Sequence, residues 1–72
     1  MKKYLLFVSL TYSYPILRPI QNEIRRRGGD VAWFIEDSCP ECLREGEKRL
    51  RSVKEVIDYD PMAVFCSRKL YL

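Results

Sequence analysis

Two cysteines are separated by two residues in Cys39-Pro40-Glu41-Cys42, three residues after an apolar run. A dithiol at that spacing can exchange with disulfides, Cys39 attacking and Cys42 resolving, when helix amides hold the first sulfur as thiolate. Glu36, Asp37 and Glu41 surround the pair with negative charge, which opposes thiolate formation. A structural role is therefore favoured over redox catalysis. Two cysteines do not close a zinc site, and the chain has no histidine to complete one. No metal site is expected, and Cys66, inside an apolar run, reads as a small buried hydrophobe.

A second set of polar groups follows the first apolar run: Ser9, Thr11, Tyr12, Ser13 and Tyr14, with Arg18 close behind. Hydroxyls and free amides at a helix start can hold a phosphate or a polyol. Neither the glycine-rich dinucleotide fingerprint nor the lysine-bearing phosphate loop is present. Ser9, Thr11, Ser13, Tyr14 and Arg18 are thus the candidate acceptor or anion contacts, suited to positioning rather than to acid-base work. No catalytic residue can be assigned.

Other charged groups read more simply. Arg25, Arg26 and Arg27 suit the negative end of a helix dipole, without the interleaved aromatics of a nucleic-acid surface. Glu36 and Asp37 serve a loop or a cap, and Asp58 and Asp60 have no fixed separation on which chemistry could rest. Thirteen basic against ten acidic residues leave a charge of only +3, so nucleic acid is not the expected partner.

These residues need elements to position them. Residues 4–10 are almost continuously apolar, as in a strand covered on both faces. Pro15 and Pro19 delay regular helix to about Leu17 or Pro19. Leu17, Ile20 and Ile24 then form its buried stripe, with Gln21, Asn22, Arg25 and Arg26 outward. Gly28 or Gly29 ends it. Residues 31–35 return as a parallel strand. Asp37 or Ser38 caps a short helix holding Pro40, Glu41 and Leu43, and Lys48 to Leu50 forms an edge strand. Val53, Val56 and Ile57 mark a second helix, residues before Pro61 end it, and residues 62–66 give a final buried strand.

The expected fold is α/β: one partial Rossmann-like open parallel sheet with flanking helices, spanning residues 1–72. At 72 residues such a chain buries roughly 60% of the surface its unfolded form exposes. With few helices to cover several apolar strands, a face or edge stays open, which suits a homo-oligomer or another protein partner. The amino-terminal apolar run is too short to span a bilayer and lacks a cleavage site, so a cytoplasmic chain with reduced cysteines is expected.

The first strand, the polar loop, Pro15 with Leu17, the helix ending "EIRRRGGDV" and the strand "VAWFI" together resemble the opening of glycosyltransferases built from two Rossmann-like domains. "VIDYDPMAVFCS" is similar to a later core segment of CDP-glycerol glycerophosphotransferase-like enzymes, which transfer polyol-phosphate units during envelope polymer synthesis. This chain has residues 11–13 where a Gly-His loop is frequent, and Asp30 where histidine commonly follows glycine. The resemblance implies the acceptor-side fragment of a transferase, inactive alone and binding no cofactor itself. The rest of the parent would be a carboxyl-terminal domain holding a donor such as CDP-glycerol or a nucleotide sugar. It also implies that the parent works in the cytoplasm at the inner membrane face.

Overall fold

The computed structural model describes residues 2–66. Its elements run β1 (Lys3–Val8), α1 (Ser13–Arg26), β2 (Asp30–Ile35), β3 (Lys48–Leu50), α2 (Val53–Tyr59) and β4 (Ala63–Cys66). The strands form one sheet in the order β3-β2-β1-β4, every neighbouring pair parallel. This is the expected Rossmann-like α/β arrangement, and Lys48 to Leu50 is the edge strand anticipated from sequence.

Alternation along β1 and β2 divides the core between the two faces of the sheet. Leu6, Val8, Val31, Trp33 and Ile35 pack with Tyr14 and Leu17 of α1, and Cys39 closes that cluster. On the other face, Leu5, Ala32 and Leu50 pack with Tyr59 of α2, and Phe34 and Val56 rest against them. One helix therefore serves each face.

α1 begins earlier than the prolines suggested. Ser13 is its first residue, which places Pro15 in the first turn, where no intrahelical partner awaits its missing N–H. Pro19 sits inside the helix; its missing bond and ring clash are offset by the burial of Tyr14 and Leu17 on either side of Pro15. At the other end Gly28 takes φ 82°. Its N–H donates to Arg25 O at 3.0 Å, and that of Gly29 donates to Ile24 O at 2.9 Å, the paired bonds of a Schellman stop.

Four further expectations are corrected. Residues 38–43 form no helix but a turn and coil; the segment instead gives its Pro40 and Cys42 carbonyls to Tyr14 and Arg18 of α1. Gln21 faces inward rather than outward and is 3% exposed. On α2, Val56 packs inward with Tyr59, while Val53 and Ile57 are exposed; the seven-residue helix makes fewer than two full turns and touches the sheet along one narrow stripe. β4, expected to be buried, is half-buried at Ala63 and exposed from Val64 to Cys66, since no element among the described residues lies beyond it. Cys66 is accordingly an exposed thiol.

Candidate ligand site at the carboxyl edge of the sheet

The chain runs from β1 outward through β2 to β3, then crosses back to lay β4 on the far side of β1. The strand order thus reverses between β1 and β4. In open parallel sheets the loops leaving the two strands at such a reversal splay apart, so a crevice opens at their carboxyl ends. The β1–α1 loop, residues 9–12, stands there.

Within that loop Ser9 is half-buried, and Leu10, Thr11 and Tyr12 are exposed. The chain turns tightly into α1: Ser13 N–H donates to Leu10 O at 3.0 Å and Tyr14 N–H to Thr11 O at 3.3 Å. Tyr12 occupies the capping position with no side-chain cap bond, and the first turn contains no acidic residue. The positive end of the α1 dipole is therefore not neutralised by the protein's own first turn. Ser13 is buried, and its Oγ has no hydrogen-bond partner among the described residues. Hydroxyls of Ser9, Thr11 and Tyr12 beside that helix end suit a phosphate or a hydroxyl-bearing ligand.

The remaining candidates are placed differently. Tyr14 is buried, stacks on Trp33 at 5.7 Å between ring centroids, and donates its hydroxyl to Pro40 O at 2.9 Å; burial holds its pKa above the ordinary tyrosine value. Arg18 reaches away from the loop to the segment between β2 and β3. Its guanidinium donates to Glu47 Oε1 at 3.1 Å, to Glu47 Oε2 at 3.2 Å and to Cys42 O at 2.6 Å. Ser9 and Thr11 thus lie in the loop at the carboxyl edge of the sheet, while Ser13 and Tyr14 are buried and Arg18 is engaged with Glu47 and the Cys42 carbonyl.

Sequence reasoning missed Gln21 and Glu47, which fasten the long β2–β3 connection to α1. Glu47 accepts from Arg18, from Gln21 Nε2 at 2.7 Å and from the Arg44 amide at 2.7 Å. Burial alone would raise its pKa, but the Arg18 guanidinium, the Arg44 amide and the Gln21 amide outweigh that and bring it down to about 2. The signal available in the sequence was the spacing of Gln21, one turn after Leu17 on the buried stripe.

The Cys39–Cys42 pair lies in this same connection and at no helix start. Cys39 is buried, and that burial, with Cys42 and Glu36 nearby, pushes its thiol pKa up. Cys42 is exposed, its carbonyl held by Arg18. The helix amides that would favour a thiolate are not at hand. Arg25 donates to Gly46 O at 2.9 Å, and Arg26 and Arg27 both hold Glu23, so the arginine run is engaged within the fold. Among the described residues no cluster could hold a metal ion, and no helix is long and apolar enough to cross a membrane.

The fold is a Rossmann-like α/β unit, an arrangement compatible with folds of the nucleotide-binding type. Compared with family models, with curated proteins and with solved structures, the chain matches none.

Proposed function

We propose that this chain forms the acceptor-side wall of a nucleotide-activated transferase acting on a sugar or polyol phosphate. The reversal of strand order between β1 and β4, with the hydroxyl-bearing loop 9–12 at its mouth, carries this reading. The order 3-2-1-4 is also the first four strands of the six-strand doubly wound sheet, 3-2-1-4-5-6, that binds nucleotides across its reversal. Ser9, Thr11 and Tyr12 orient the ligand through hydroxyls, and the positive end of the α1 dipole, with no acidic residue in its first turn, favours its negative charge.

No group transfer is expected from this wall alone. A transfer site needs donor and acceptor held in register and shielded from water, which takes a second wall. The test is a titration of the isotopically labelled chain with glycerol 3-phosphate, CDP-glycerol, a UDP-sugar and inorganic phosphate, followed by amide chemical shifts. Saturable shifts centred on residues 9–13, with glycerol 3-phosphate stronger than inorganic phosphate, are expected. Shifts absent at millimolar ligand, or centred elsewhere, would overturn the assignment. Equal response to phosphate and glycerol 3-phosphate would remove the polyol part.

A further inference from the structure

We infer that the site at the carboxyl edge of the sheet takes the neutral ring of a sugar, seated on Phe7 and Phe34 and hydrogen-bonded through Ser9 and Glu36. The inference rests on the proposed function and narrows its ligand from a sugar or polyol phosphate to a sugar ring. Phe7 and Phe34 are register partners on β1 and β2. Their rings stack at 5.9 Å between centroids with 14° between planes, and both are half-buried. The two-residue period of a strand puts them on the same face as Leu5 and Ala32, which pack with Tyr59 of α2.

Polar partners stand one step beyond the rings. Glu36 N–H donates to Val8 O at 2.9 Å, which continues the ladder between β1 and β2 and sets Glu36 level with Ser9. Ser9 is half-buried and Glu36 exposed. A carboxylate accepts from hydroxyls in short, charge-assisted bonds, and a serine hydroxyl both donates and accepts. An aromatic surface beside such groups fits a pyranose. Its ring C–H groups carry partial positive charge toward the negative face of a phenyl ring, and its hydroxyls meet the polar pair at the edge.

Charge favours the neutral ring over a phosphate. Glu36 and Asp37 are both exposed at the end of β2, where they oppose an anion. Residues 4–17 and 28–43, which hold β1, β2 and the loops that leave them, include no lysine or arginine. Arg18 is spent on Glu47 and the Cys42 carbonyl. The α1 dipole adds a field but few directed donors: Ser13 and Tyr14 give their amides to Leu10 O and Thr11 O, and Pro15 has none. A glycerol chain has no ring with which to cover the phenyl pair. With two aromatic and two polar side chains the contact is small, so millimolar binding is expected.

Titration of the isotopically labelled full chain with methyl glucoside, glycerol, glycerol 3-phosphate and inorganic phosphate tests it. Methyl glucoside should shift the amides of residues 7–9 and 34–36 saturably, its own ring protons moving upfield in the phenyl ring current. It should bind at least about fivefold more tightly than glycerol or inorganic phosphate. Phe7→Leu and Glu36→Gln should each weaken it at least about fivefold, with Trp33 fluorescence reporting the fold. Preference for glycerol 3-phosphate over methyl glucoside, with shifts centred on residues 9–13, would overturn the inference and leave the proposed function standing. A response to neither the glucoside nor any ligand of the earlier titration would overturn both. Unchanged affinity in the two variants would overturn the seating on Phe7 and Glu36. If Phe7→Leu fails to fold, the ring-current shifts on the unmodified chain decide.

Discussion

The Trp33 indole N–H donates to Gln21 Oε1 at 2.8 Å in the middle of the α1 face. Trp33 is fully buried, so its one polar atom must find an acceptor inside the protein. Gln21 supplies it and passes its own amide N–H on to Glu47. One side chain thereby links sheet, helix and the long β2–β3 connection.

Gln21→Leu should therefore destabilise the fold by about 2 kcal/mol, because it leaves the indole N–H buried and unpaired. Urea unfolding followed by Trp33 fluorescence measures this cleanly, since the chain has a single tryptophan. A loss below ~0.5 kcal/mol would mean that the indole finds another partner.

Glu47 makes the fold acid-sensitive. Its folded pKa of about 2 lies below the ordinary glutamate value of roughly 4.3. A depressed carboxylate contributes stability that is complete above the unfolded pKa and lost as pH falls through the folded one. Urea midpoints should thus fall between about pH 5 and pH 2. Glu47→Gln should flatten that dependence and cost about 3 kcal/mol at neutral pH, by leaving Arg18 without its charge partner. An unchanged pH profile in the variant would show that other carboxylates set it.

The two terms of the α1 stop should respond differently to alanine scanning. A Cβ on Gly29 would lie 2.6 Å from Ile24 Cγ2 and 3.2 Å from Ile24 O, so Gly29→Ala should cost about 1–3 kcal/mol through overpacking. Gly28→Ala meets no atom within 4 Å but must hold φ 82°, a conformational cost of about 1 kcal/mol. Thermal melts of both variants test the ranking; equal losses would count against it.

Thiol accessibility separates the two members of the Cys39–Cys42 pair. Cys39 is buried with a raised pKa, and Cys42 is exposed. A disulfide reagent at neutral pH should modify Cys42 at least about ten times faster than Cys39, with mass spectrometry assigning the site. Faster reaction at Cys39 would restore the dithiol reading.

The amino-acid sequence by itself determined the parallel strands and their neighbours in the chain. Continuous apolar runs in β1 and β2, a helical stripe through Leu17 and Ile24, and the glycine stop at Gly28 are local signals, each written within a few residues of the structure it produces. The position of Ser9 and Thr11 was legible for the same reason: a polar loop after the first strand of a parallel unit falls at the carboxyl edge. Only the tertiary structure decided that Gln21 turns inward, because its acceptor role exists only once Trp33 arrives from β2. It alone decided that Arg18 belongs to Glu47, twenty-nine residues away, and that α2 covers the sheet with Val56 and Tyr59. It alone decided that β4 is exposed from Val64 to Cys66 among the described residues, since burial is a property of what packs against a strand and not of the strand's own composition.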